Sequence, residues 1–202
     1  MTTARMPAAP PASGLGRQAP FGYPPGMQAH SDEQLMQRYG SGEMTAFEEL
    51  YARYRGPLYR YFMRQLGDEP KVNDLYQGVW EKVISARGRY RPDRPFKAWL
   101  FRIAHNHLVD FYRRQKPTTQ IDQAGFLATS AEQESQLEQA QRKALLDQAV
   151  QSLPEDQREA IVLRLEGDLS LDDIAALTGV GRETVKSRLR YATAKLKQAM
   201  GT

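Results

Sequence analysis

An all-α fold in two small helical domains is predicted by three features of the sequence. Apolar residues recur at the three-to-four-residue spacing of amphipathic helices, and no stretch alternates as a half-buried strand does. A polar segment, residues 118–136, interrupts that periodicity and reads as a flexible linker between domains 31–117 and 137–202. Within the second domain, two helical stretches flank Gly179, Val180 and Gly181, the short glycine-containing turn of a helix-turn-helix.

Residues 1–30 hold six prolines, four glycines and no acid, and their apolar residues have no period, so a disordered arm is expected. Ser31 and Gln34 then form a capping box ahead of Leu35, Met36 and Tyr39, and Gly40 ends that helix. From Glu43, the positions Phe47, Leu50, Tyr51, Tyr54, Leu58, Tyr61 and Phe62 keep a helical period through Pro57. One long helix kinked there, or two nearly collinear pieces, is expected. Residues 71–86 put Val72, Leu75, Val79 and Val83 on one stripe and leave Asp74, Gln77, Glu81 and Lys82 outside. Phe96, Trp99, Leu100, Ile103, His107 and Phe111 define the buried stripe of a helix ending near Arg114.

In the second domain, Leu145, Leu146 and Val150 form the apolar face of the opening helix. Pro154, at a first helical position with Glu155 and Asp156 behind it, launches the next helix, which Gly167 stops. Ser170 with Asp173 is close to a capping box and starts the first helix of the pair. The second begins near Arg182. Val185, Leu189 and Leu196 gather on one side of it, while Glu183, Lys186, Ser187 and Arg190 face away.

Composition narrows the function classes. The sequence has no cysteine, hence no disulfide, thiolate zinc site or thiol switch. No apolar run approaches membrane-spanning length, and the first residues lack a signal-type apolar core, so a cytoplasmic protein is expected. Net charge is only +4, and its distribution says more. Ten Lys or Arg stand against Asp93 and Asp110 between Lys82 and Lys116, and from Arg182 onward six bases stand against Glu183. Residues 138–181 carry nine acids and four bases, so the basic charge of the second domain lies on the recognition-helix side, as a nucleic-acid footprint requires. The loop with Arg87, Arg89, Arg91 and Arg94 around Tyr90 is broken by Pro92 and Pro95 and suits a single strand with an unstacked base.

These residues together resemble the bacterial extracytoplasmic-function sigma factors over residues 31–200. The motifs are AFEELYARYRGPLYRYF, DLYQGVWEKVI and FKAWLFRIAHNHLVDFYRRQKP in the first domain, and LPEDQREAIVLRLEGDLSLDDIAALTGVGRETVKSRL in the second. The resemblance implies a factor that binds core RNA polymerase, recognises minus-35 and minus-10 promoter elements and promotes local melting. Core binding would fall to Asp74, Leu75, Gln77, Trp80 and Glu81 on the clamp coiled coil of the largest subunit, with the flap as a second contact. Trp80 borders the buried stripe, so it either meets the partner or packs inside. For the minus-10 element the expected residues are Arg89, Tyr90, Arg91, Lys97, Asn106, Asp110, Arg113 and Arg114, with Trp99 in the core. For the minus-35 element they are Arg182, Glu183, Thr184, Lys186, Ser187 and Arg190. An anti-sigma factor is the further partner implied, with no cofactor, metal or small-molecule substrate. One departure stands out: where the family often carries an acid after the Gln of its D-L-x-Q pattern, this chain has Gly78, and glycine inside a helix costs about 1 kcal/mol relative to alanine.

Two other readings compete. A helix-turn-helix regulator acting without polymerase explains the second domain but gives residues 71–86 and the basic loop no role. An enzyme would have to use His105, Asn106, His107 and Asp110, yet the two histidines lie two apart on different helix sides and no further cluster completes a metal site. A core imidazole is the expectation for His107.

Overall fold

The computed structural model describes residues 30–114 and 134–201. Nearly all of the predicted arm and most of the predicted linker lie outside these residues. Among them are eight α-helices and no strand: α1 Asp32–Gly40, α2 Met44–Leu66, α3 Glu69–Ala86, α4 Phe96–Arg114, α5 Glu134–Gln151, α6 Glu155–Glu166, α7 Leu171–Thr178 and α8 Arg182–Met200.

Local chemistry sets the ends. The Ser31 hydroxyl accepts from the Gln34 N–H while the Gln34 side chain accepts from the Ser31 N–H at 3.0 Å, both halves of the predicted box. Gly67 closes α2 in the left-handed region at φ 68°, and the Asp68 carboxylate caps α3 by accepting from the Lys71 N–H. Ser170 and Asp173 complete a second reciprocal box at α7, and Gly179 ends that helix at φ 72°. The start of α4 is capped from a distance, since Glu33 on α1 accepts from the Phe96 N–H at 2.8 Å. Burial opposes the Glu33 charge, but that bond, its own backbone N–H and Ser31 hold its carboxyl below the usual value.

Of the two expectations for Pro57, the single long helix is the one that forms. One expectation is corrected: Pro154 is the residue before α6 rather than its first member.

In the N-terminal half, α2 packs on α1 and α3, and α4 packs on α3. In the C-terminal half, α8 receives α5, α6 and α7. The halves also touch each other, α2 against α5 and α6 and α4 against α7, so their apolar residues form one cluster. This contact shifts the buried face of α4. Phe101, Ala104, His105 and Leu108 are fully buried alongside Phe96 and Leu100, whereas Trp99, Ile103, His107 and Phe111 are only half-buried. Leu145 is likewise 53% exposed, leaving Val150 as the buried residue of the expected α5 face.

Charge crosses the contact in one sense. Arg60 and Arg64 of α2 reach Glu166 at 2.7 and 2.5 Å, Arg64 reaches Asp147 at 3.3 Å, and Lys97 reaches Asp168 at 2.8 Å. His105 Nδ1 lies 2.8 Å from the Glu159 carboxylate, an ion-pair distance without hydrogen-bond alignment. In each of these pairs the N-terminal half supplies the basic group and the C-terminal half the acid.

Candidate nucleic-acid interface

Three surfaces carry the sequence-selected residues. On α3, Asp74, Gln77 and Glu81 are exposed at helical spacing and make one polar face. Leu75 and Trp80 do not join it, being 3% and 0% exposed. Trp80 is enclosed by Phe47, with ring centroids 5.8 Å apart, by Tyr51 at 4.9 Å and by Tyr76 at 6.3 Å. Of the two places open to Trp80, the interior is the one it takes. Phe47 and Tyr51 lie one turn apart on α2, and that pair forms the slot.

On α4, Asn106, Asp110 and Arg113 follow one another a turn apart, with Asn106 and Arg113 exposed and Asp110 half-exposed. Arg113 bonds the Asp110 carboxylate at 3.1 Å, and the Arg114 guanidinium donates to the Asp110 carbonyl at 3.1 Å. Arg102, exposed one turn before Asn106, belongs to this face and was missing from the sequence-derived set; the spacing 102, 106, 110, 113 was its signal. Lys97 falls about 180° from Asn106 around the helix and is turned to Asp168. The structure therefore separates Lys97 from the face it was expected to share. Hydrogen bonding to Lys97 lowers the Asp168 carboxyl below its ordinary value.

Arg89 and Arg91 are exposed on the loop before α4. Tyr90 between them is half-buried, its ring 5.1 Å from Trp99 and 6.0 Å from Phe96, and its hydroxyl donates to the Arg94 carbonyl at 3.3 Å. Burial first, then Glu33, Asp93 and Asp32, push its phenol up to about 12, so it stays a neutral donor. The Tyr90, Phe96 and Trp99 rings anchor the loop beside α4. Trp99 is half-buried, about 20° from Asn106 around the helix, and packs against the core, its ring 5.7 Å from that of Phe96, while bordering the polar face.

The third surface is the solvent side of α8. Val185 and Ala192 point inward with no exposure, and Arg182, Glu183, Thr184, Lys186, Ser187 and Arg190 are all exposed. Arg182 pairs with Asp172 of α7 at 3.2 Å and Lys186 with Glu183 at 3.5 Å. The Arg190 guanidinium lies 4.9 Å from the centroid of the Tyr191 ring and bonds its hydroxyl at 3.2 Å, an arrangement that orients the fork outward. Tyr191, 53% exposed, is a neighbour of this exposed face that helical patterning did not single out. Arg188, by contrast, bonds Asp156 at 2.5 Å with 19% of its side chain exposed, and ties α8 to α6.

The core imidazole expected at His107 stands at the other histidine. His105 is the buried imidazole, while His107 is half-buried with Nδ1 2.9 Å from Lys82 Nζ on α3. Among the described residues no three His, Asp or Glu gather as a metal site would need, and no helix is long and apolar enough to cross a membrane.

Residues 50–118 match Sigma-70 region 2, and residues 143–196 match Sigma-70, region 4. The RNA polymerase sigma factor CarQ of Myxococcus xanthus is 32% identical over 167 residues, covering 82% of this chain and 95% of that protein. The ECF RNA polymerase sigma factor SigM of Mycobacterium tuberculosis is 30% identical over 189 residues, covering 90% and 93%. Among solved structures, CnrH in complex with the cytosolic domain of CnrY superposes with a TM-score of 0.60 at 29% identity, over 85% of this chain and 98% of that one.

Proposed function

The chain belongs to the extracytoplasmic-function sigma factors of the sigma-70 family, acting in transcription initiation, and on that premise we propose how its surfaces divide the work. The observation that carries the reading is the separation of three exposed polar faces onto three helices. Residues 31–117 form the core-binding and minus-10 domain, residues 137–202 the minus-35 domain, and residues 118–136 the link between them.

Asp74, Gln77 and Glu81 dock on the clamp coiled coil of the polymerase, with Leu75 and Trp80 shaping α3 from inside. The exposed side of α8 enters the major groove, where an arginine fork matches a guanine edge and a glutamate accepts from cytosine. Asn106 and Asp110 read the edge of an unstacked base, while Arg89, Arg91, Arg102, Arg113 and Arg114 hold the phosphates of the displaced strand. Melting is then driven by capture, because bases held on the protein no longer return to the duplex. An anti-sigma factor is the partner we propose for regulation, a reading supported by CnrH, which was solved with the cytosolic domain of CnrY.

Run-off transcription on genomic fragments with core polymerase tests the reading. Discrete transcripts that require the protein are expected. Binding as a dimer to a palindrome, with no transcript, would establish the regulator reading instead.

A further inference from the structure

Gly78 lies inside α3 with no turn to make, so its lack of a side chain calls for a steric reason. The reason stands on α4. A Cβ placed at Gly78 would lie 2.4 Å from Nε2 of His107, with ring atoms Cε1 at 3.2 Å and Cδ2 at 3.3 Å. Three atoms of one ring crowd that point, so the imidazole stands end-on in the space another residue's side chain would fill.

The ring's other nitrogen fixes its chemistry. Nδ1 is 2.9 Å from Lys82 Nζ, one turn beyond Gly78, and an ammonium has only donors, so Nδ1 accepts and the ring is neutral. Burial first, then Lys82 of α3 and Arg114 of α4, lower its pKa from the ordinary histidine value, while Asp110 of α4 and Glu81 of α3 pull the other way. The contact joins the two faces that matter. Gly78 follows Gln77 on the α3 face, and His107 follows Asn106 on the α4 face.

We propose that His107 is a positioning residue: seated on Gly78 and bonded to Lys82, it fixes the approach of α4 to α3 and thereby where Asn106 and Asp110 stand when α3 is docked on the polymerase. Asn106 has no such tether of its own, being exposed, and takes its place from the backbone that His107 holds.

The inference rests on the minus-10 reading above, and its test keeps the two apart. Gly78→Ala and His107→Ala are each compared with the double variant in the full chain. In urea the single changes are expected to be non-additive, the double variant recovering a coupling of about twofold or more in the unfolding equilibrium constant. With core polymerase on a duplex promoter, permanganate reactivity at the minus-10 element should fall several-fold for each single variant while core pull-down is unchanged, and the double variant should recover part of it.

His107→Gln keeps an acceptor for Lys82 and does not titrate. The ratio of wild-type to His107→Gln opening should therefore fall only as the pH drops through the lowered His107 value, below the ordinary histidine range, where protonation removes the acceptor and sets a cation against Lys82 and Arg114. Additive singles in urea would overturn the contact. Normal opening by His107→Ala, or a ratio flat with pH, would leave a structural contact only and sink the positioning role. A wild-type chain that opens no promoter would instead fail the function proposed above, and the urea cycle would still decide the contact.

Discussion

The α3–α4 seam and the seam between the two halves are built from different materials. On the first, Val72, Val79 and Val83 of α3 and Leu100 and Ala104 of α4 have no exposure, and an imidazole of α4 stands over a glycine of α3. On the second, Arg60, Arg64 and Lys97 face Glu166, Asp147 and Asp168. Two of these pairs converge on Glu166, whose side chain is 4% exposed, whereas Lys97 and Asp168 meet at the surface, where salt screens an ion pair most. The halves share one apolar cluster as well as these pairs, so freedom between them requires parting both. The proposed function needs that freedom: elements named minus-10 and minus-35 lie about 25 base pairs or about 85 Å apart, whereas a compact chain of this length has a radius of gyration of about 16 Å.

Glu166 is where that seam breaks with the largest effect. Its side chain is 4% exposed and held by two guanidinium groups, so Glu166→Ala takes the shared acid from Arg60 and Arg64, and among the described residues Arg64 keeps Asp147. Removing one partner of a buried pair costs about 3–5 kcal/mol, and the lower end is expected because Arg60 is 38% exposed. Urea unfolding should show the loss, and small-angle scattering should show the radius of gyration increasing. An unchanged midpoint and radius would mean that the halves are held by their apolar residues alone.

The seams also explain what was legible in the sequence. Helix starts such as Ser31 with Gln34 and Ser170 with Asp173 depend on residues three apart, and both boxes form as expected. The outward residues of α8 follow from a single periodicity, and all six are exposed. The errors fall where one helix is covered on two flanks. The α4 stripe was placed toward Trp99, Ile103 and His107 because those positions satisfy contact with one neighbour; the other flank buries Phe101 beside Tyr61 of α2 and Gly167, and His105 beside Glu159 of α6. No local period carries that information. Gly78 stood out only as a costly residue inside a helix for the same reason, since its partner lies 29 residues away on another helix.

A smaller effect tests whether α8 belongs to neither seam. Arg190→Ala removes an exposed guanidinium and should leave unfolding nearly unchanged while weakening duplex binding. A base contact would cost about 1–3 kcal/mol and relax preference at one base pair; a phosphate contact would weaken all sequences evenly and lower the salt slope by about one. Unfolding that moved as far as it does in Glu166→Ala would place Arg190 in the packing. Ser170→Ala should cost about 1 kcal/mol by removing a cap from α7, and thermal unfolding is the measurement.

The smallest expected effect decides where Lys97 belongs. It was grouped with Asn106 by sequence, yet it stands about 180° away around α4 and bonds Asp168 of the other half, whereas Arg102 shares the Asn106 side. If the seam owns Lys97, then Lys97→Ala leaves binding to a premelted minus-10 template and its salt dependence as they are, while Arg102→Ala lowers the salt slope by about one. The pair also has a pH signature of definite sign. The Asp168 carboxyl lies below its ordinary value of 3.8 because Lys97 bonds its charged form, so whatever the pair contributes is present above that value and disappears as the pH falls through the lowered one. Lys97→Ala and Asp168→Asn should both abolish that component of the acid response. Should Lys97→Ala instead reduce the salt slope on premelted DNA as Arg102→Ala does, the lysine leaves Asp168 when DNA arrives, and the ionic seam and the minus-10 face share a residue.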